Sequence, residues 1–268
     1  MLSTDKAWEK FGRQAPYFGV LAHEKFAADR IHENRDEFFA TGRGFVSQLL
    51  ARYERHFGDF PRGRALDHGC GVGRLAFPLA AEFGSVVGLD ISPSMLAEAR
   101  SNAREFEARN VEFALADDRL SNAEGEFDFV NSYITLQHIP VRRGLTILSR
   151  LIDKVRPGGG FHVHLSVRTD RKRSRALWWA SHHIPGVKIW QNVMAGRPWN
   201  APAMQMNNYP LAAVVTQMAA QGVTMFLVST EEHAKFLTLS LLGKLHAWIS
   251  ASCSTCRSAA RRCPLRSM

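Results

Sequence analysis

Cysteine is scarce in this chain, with four residues in 268, and three of the four (Cys253, Cys256 and Cys263) fall in the final stretch 251–268. So few exclude a disulfide framework for a domain of this size, and the Cys253-x-x-Cys256 spacing has no second pair to complete a zinc ribbon, so no metal site is expected. Long apolar runs are missing too: none reaches the roughly 18 residues that a membrane-spanning helix needs. The opening "MLSTDKAWEKFGRQ" lacks the continuous apolar core of a signal peptide, and the protein is expected to be cytoplasmic. There is no internal repeat and no low-complexity linker. With 46% apolar residues the chain can bury a core of its own, as one large domain with additions.

Net charge is +9, but the excess is local. The stretch "RTDRKRSR" at 168–175 carries +4, residues 251–268 carry another +4, and everything else sums to +1. The body is therefore near neutral. The basic blocks are read as one solvated insertion and one disordered tail, with a polyanion or an anionic membrane surface as the alternative partner. No obligate protein partner is evident.

From about residue 60, short β-rich runs alternate with helical stretches. "RALD" (64–67) leads into a glycine loop and a helix near 73–83. "SVVGLD" (85–90) leads to a helix that Ser92 or Ser94 could cap with Pro93 at its start. "VEFALAD" (111–117), "FDFVNSYI" (127–134) and "GFHVHLSV" (160–167) continue the series. Strand and helix in repeated alternation imply a parallel sheet with right-handed crossovers. A helix over 208–222 and two β-rich runs within 223–244, divided by the polar "STEEH", complete it as an antiparallel pair. The expected fold is a doubly wound, Rossmann-like α/β sheet of seven strands, mostly parallel with a terminal antiparallel strand. Its parts are a helical segment over 1–60, a main domain over 61–244 interrupted by an insertion at 168–207, and a disordered tail over 245–268.

"ALDHGCGVGRLAFPLA" (65–80) sets Gly69, Gly71 and Gly73 between the first strand and its helix, where a doubly wound sheet holds its ligand. Asp90 ends the next strand, 17 residues beyond Gly73, where a carboxylate can accept both hydroxyls of a ribose. "GVGRLA" also fits the dinucleotide pattern G-x-G-x-x-G/A. However, Asp67 precedes the loop and Asp117-Asp118 ends the third strand. Such carboxylates repel a pyrophosphate and attract a cofactor bearing a sulfonium and an ammonium, which favours S-adenosylmethionine.

Residues 62–167 resemble the class I S-adenosylmethionine-dependent methyltransferases. The likeness rests on "LDHGCGVGRLAFPLA", the acid of "VVGLDIS", "ALADD", "FDFVNSYITLQHI" and "LSRLIDKVRPGGGFHVHL", in family order and spacing. It implies that Gly69 and Gly71 let the backbone approach the methionyl portion with Asp67 on its amino side. It further implies that Asp90 takes the ribose, that Asp117 or Asp118 faces the adenine amino group, and that Ser132 lies near the methionyl amine. Family members often close the site with an amino-terminal helical lid, so Tyr17 either touches a ligand or packs on the sheet edge.

His138, in "LQHIP" after the fourth strand, is the candidate general base for an acceptor that must lose a proton; the competing reading is a packed histidine. His162 and His164 alternate on one strand and share a face, as core histidines satisfied by hydrogen bonds. The insertion holds Trp178, Trp179, Trp190 and Trp199 beside its basic run, read as a cap over a small or lipid-like acceptor, with membrane contact (168–199) and base stacking as alternatives. The expected activity is methyl transfer to a small-molecule acceptor. A non-catalytic binding protein on the same fold, a nucleic-acid methyltransferase and a nicotinamide-dependent oxidoreductase are the rivals.

Overall fold

The computed structural model describes residues 4–169, 204–233 and 236–245. The four insertion tryptophans, most of the basic run and the Cys/Arg tail lie outside the described residues. Seven strands form one sheet: β1 (Arg64–His68), β2 (Ser85–Asp90), β3 (Val111–Leu115), β4 (Phe127–Ser132), β5 (Val155–Thr169), β6 (Phe226–His233) and β7 (Phe236–Lys244). Their order is β3-β2-β1-β4-β5-β7-β6, with β7 antiparallel to both neighbours and the first five strands parallel. This is the expected doubly wound sheet. The antiparallel strand lies between β5 and β6, so the last strand in sequence is inside the sheet and β6 is its edge. "STEEH" belongs to β6 instead of separating two strands. Along this edge strand the side chains of Ser229, Thr230 and Glu231 are at least partly exposed, as polar residues at an edge commonly are.

Helices cover both faces. On one, α6 (Val141–Asp153) and α7 (Leu211–Ala220) pack Ile147, Leu148, Leu151, Val214 and Met218 onto Leu66, Val130, Phe161 and Val163. The α6 residues recur at helical spacing, which buries one stripe and leaves the opposite side wet. On the other, α3 (Ile31–Phe57) and α4 (Ala76–Glu82) bury Val46, Leu50, Tyr53 and Leu79 against Ala65, Val86 and Phe129. The helix α5 (Pro93–Glu105) follows β2; of the two candidate serines, Ser92 caps it, accepting from the Met95 amide at 3.1 Å.

The amino-terminal segment divides into two parts. The long helix α3 belongs to the sheet's core, whereas α1 (Thr4–Gln14) and α2 (Pro16–Val20) reach the carboxyl ends of the strands. There Glu9 accepts hydrogen bonds from the hydroxyls of Ser92 and Ser94 at 2.8 and 2.7 Å. Tyr17 is buried, with its hydroxyl on Glu98 and Asn102, and packs on Phe38 without lining a cleft.

After β5 the chain re-enters through Tyr209, fully buried, whose hydroxyl lies 2.8 Å from Leu136 O and 3.1 Å from Ile139 O. Gly144 on α6 leaves room for that hydroxyl; any side chain there would collide with it. The residue thereby ties the start of α7 to the turn carrying His138. Tyr209→Phe removes the hydroxyl that these two carbonyls share, although Leu136 O keeps the Ile139 amide, and is expected to lower unfolding free energy by about 1–2 kcal/mol in chemical denaturation.

Candidate active site

The chain passes outward from β1 through β2 to β3 and then returns to β4, so strand order reverses between β1 and β4. The loops leaving these strands diverge there and open a crevice. It encloses about 930 Å³ with its solvent-open mouth included, and its walls come from the β1, β2, β3 and β4 loops, α1, α2 and α6.

Gly69, Gly71 and Gly73 all take positive φ, at 77°, 55° and 93°, a region that side chains rarely tolerate. Gly69 and Gly71 line the cleft. A Cβ on Gly71 would collide with Val20 of α2, so the bare main chain there is required by close approach as well as by φ. The Gly71 amide donates to Asp90 Oδ2 at 2.9 Å, and the Ser92 amide donates to Oδ1 at 2.9 Å. Asp90 is thereby fixed at the end of β2, with a backbone amide on each oxygen. Burial raises its pKa to about 6 against those backbone bonds.

Asp67 is held differently. Asn131 Nδ2 donates to Oδ1 at 2.7 Å, while Oδ2 is buried with no hydrogen-bond partner among the described residues. Burial raises this carboxyl too, to about 6, opposed by the Asn131 bond and the field of Arg74. Arg74 is 5% exposed and borders the same cleft. Its Nε has no partner among the described residues, and its Nη1 makes only a 3.3 Å contact to Thr41 Oγ1.

The third acidic pair is already engaged. Asp117 Oδ1 accepts from the Arg119 and Ser121 amides at 3.0 and 2.9 Å, and Asp118 takes both oxygens to Arg143 Nε, at 2.7 and 2.9 Å. Arg143 also donates to Asp5 of α1 at 2.6 Å. The cleft thus sets two arginines, Arg74 and Arg143, among five aspartates, Asp5, Asp67, Asp90, Asp117 and Asp118, where the sequence pointed only to carboxylates.

Two expected site residues stand away from the walls. Gly73 is turned toward Phe77 of α4, and Ser132 is fully buried with its hydroxyl 3.1 Å from His68 Nδ1; neither lines the cleft. Alternation explains Ser132: Asn131 and Ser132 point to opposite faces of β4, and the residue beside Asp67 in the register is Asn131.

His138 does line the cleft, on the 3-10 turn Leu136–His138. Its Nδ1 lies 2.7 Å from Gln205 O, and a carbonyl only accepts, so Nδ1 carries the proton and Nε2 the lone pair. The Trp8 ring meets it edge-on, with centroids 4.9 Å apart. Burial lowers the pKa of His138 to about 4, and that of His68 likewise.

The profile of a methyltransferase domain matches residues 65–159. This segment belongs to the class I S-adenosylmethionine-dependent methyltransferases. Among curated relatives, the chain is 30% identical over 151 residues to trans-aconitate 2-methyltransferase of Deinococcus radiodurans, covering 56% of this chain and 52% of that protein. It is 38% identical over 108 residues to phosphoethanolamine N-methyltransferase 2 of Caenorhabditis elegans, covering 39% and 24%. The chain spans about half, or less, of the length of these relatives. Among solved structures, magnesium protoporphyrin IX methyltransferase from Synechocystis with bound S-adenosylmethionine has a TM-score of 0.56 at 18% identity, over 91% of this chain and 98% of that one, a likeness of fold.

Within this methyltransferase domain, several cleft residues carried no signal in the sequence reading. Arg74 directly follows the glycine loop and could have been noticed as a cation at the one place where the main chain is bare. His68 stands between Asp67 and Gly69 in the motif itself. Arg143, Val20 and Tyr133 come from elements whose approach to the cleft only the fold reveals.

The buried groups give opposing pH responses. A histidine with folded pKa near 4 leaves the unfolded chain binding more protons between about pH 4 and 6.5, so stability falls as pH drops through that window. Asp67 and Asp90, raised to about 6, bind protons when folded and so add stability toward acid. His138→Gln, which keeps an amide donor for Gln205 O, is therefore expected to lose less stability than the parent between pH 8 and pH 4.5 in urea titrations.

Proposed function

We propose that this chain binds S-adenosylmethionine in the cleft and transfers its methyl group to a small-molecule or lipid-like acceptor. The observation that carries the reading is a pair of buried, opposite, unsatisfied groups on one cleft, Asp67 Oδ2 and Arg74 Nε, beside a glycine cradle and a fixed carboxylate. An amino acid zwitterion presents an ammonium and a carboxylate together, and burial of either charge without a partner costs several kcal/mol, on the order that selects strongly for a complementary ligand.

Asp67 would take the ammonium of the cofactor's methionyl end, Arg74 its carboxylate, and Asp90 the ribose hydroxyls; Gly69 and Gly71 give the main chain room to approach. Asp117 and Asp118, which border the same cleft, would face the adenine. When bound, the cofactor supplies a methyl group on a sulfonium, already a strong electrophile. The protein's part is to align the acceptor and exclude water. Trp8, Val20 and Gly19 of the amino-terminal helices enclose the cleft from above. His138 Nε2 offers the lone pair that removes a proton from an acceptor hydroxyl, and the carbonyl of Gln205 holds the ring in the required tautomer. The relatives named above carry acceptors as different as trans-aconitate and phosphoethanolamine in their names, and the chemistry here fits that range: a shared cofactor cradle under a variable roof.

Isothermal titration distinguishes the roles. Asp90→Ala and Gly71→Val should weaken S-adenosylmethionine severely; wild-type-like binding in both would remove the cleft from consideration. Arg74→Met should weaken S-adenosylhomocysteine by about 10- to 100-fold, the worth of a charge-assisted bond. It should leave 5′-methylthioadenosine, which lacks the amino acid end, within about twofold, and equal losses for both ligands would overturn the Arg74 assignment. His138→Ala should retain cofactor affinity and lose turnover of a labelled metabolite extract; unchanged turnover would end the role of His138 as base.

A further inference from the structure

Asp67 is the end of a row of polar side chains that crosses the buried sheet. Asp67, Asn131 and His162 stand side by side in the registers of β1, β4 and β5, on the face covered by α3. Asn131 Nδ2 donates to Asp67 Oδ1 at 2.7 Å, and Asn131 Oδ1 lies 2.7 Å from His162 Nδ1. His162 Nε2 lies 2.7 Å from Ser240 Oγ of β7, which Arg52 Nη2 of α3 approaches at 3.4 Å. Asn131, His162 and Ser240 are all at most 1% exposed. Five residues far apart in the chain thus make one file from the cleft to the far helix.

The file has a direction. Guanidinium only donates, so Arg52 makes Ser240 Oγ an acceptor and leaves its proton for His162 Nε2. His162 then carries its own proton on Nδ1 and gives it to the carbonyl of Asn131. The Asn131 amide is thereby held with its NH2 toward Asp67, whose Oδ1 must accept. Every link donates toward the cleft, and an amide turned the other way would set oxygen against oxygen at Asp67 and N–H against N–H at His162.

We propose that His162 is a positioning residue for Asp67: through Asn131 it holds the carboxylate in its accepting form, with Oδ2 turned to the cleft for a ligand ammonium. The proposal rests on the cofactor reading above for the identity of that ammonium; the alignment of Asp67 stands on the geometry alone. The other charged or titratable groups around Asp67 are Asp90 at the end of β2, Arg74 ahead of α4, and Cys70 in the glycine loop; around His162 they are His164 on β5, Tyr133 on β4 and Arg52 on α3.

The test uses His162→Leu, which removes the link, and His162→Gln, whose amide can donate to Asn131 and whose carbonyl can accept from Ser240. Carbon-13 NMR of the aspartate carboxyls in the ligand-free protein reads the Asp67 titration directly, and calorimetry reads S-adenosylhomocysteine affinity from pH 5 to 9. In His162→Leu the Asp67 titration should move up by about one pH unit, and affinity at pH 6 should fall up to about tenfold, the equivalent of that unit, while converging on the parent by pH 8.5. His162→Gln should restore both. A Leu variant that titrates like the parent, or a Gln variant no better than Leu, overturns the proposal. Should circular dichroism show the Leu variant unfolded, Ser240→Ala carries the same comparison, with a smaller shift in the same direction expected and no shift overturning it. A parent protein that binds no S-adenosylhomocysteine at any pH would defeat the cofactor reading, and the carboxyl titration would still decide the role of His162.

Discussion

The contact on which the cleft depends is the bond from the Gly71 amide to the Asp90 carboxylate. It joins the loop after β1 to the end of β2, and it forms only because Gly71 sits at φ 55° with Val20 pressed where a side chain would be. From it follow the orientation of Asp90, the seating of α2, and the exposure of bare main chain along the cleft floor. The Gly69 and Cys70 amides both donate to Leu89 O, at 2.7 and 3.0 Å, which pins the same loop to β2 from its other side. A turn with so many obligations has little freedom, which suits a surface meant to meet a ligand without rearranging.

The sheet was readable from the chain because its inner strands β1, β2 and β4 are buried on both faces and so appear as short apolar runs between helical stretches. The glycine loop was readable for a different reason: bare main chain at alternate positions is rare and has few physical causes. What escaped were properties that depend on neighbours across the sheet. Ser132 and Asn131 are adjacent in sequence, yet the pleat sends one to His68 and the other to Asp67, and nothing in "FVNSY" indicates which. Arg143 contributes charge to a cleft built 25 residues away from it at Asp118, because the register of α6 over the sheet places it there. The polar run in β6 misled because solvent-facing strands at an edge share composition with loops.

Electrostatically the cleft combines groups that burial pushes in opposite directions. Asp67 and Asp90 are raised toward neutrality and His68 and His138 lowered below it, all for want of water. Around pH 6 the walls are therefore less charged than their composition implies, and the carboxylates ionise just above that point. The base and the cation-binding groups are both in working form at neutral pH: histidine uncharged, aspartate charged. One physical cause sets both.

The attachment of α1 to α5 links the roof of the cleft to its wall. Ser92 gives its proton to Glu9 and its lone pair to the Met95 amide, so a single hydroxyl both caps α5 and fastens α1. Glu9, its pKa lowered to about 2 with Ser94, Arg13 and Ser92 as donors against the cost of burial, stays charged at neutral pH. Peeling α1 away would hand that anion back to bulk water and leave the first turn of α5 with a solvent-facing cap. Release of α1 from the mouth and loss of the α1 contact beside Asp90 are thereby tied to the same serine.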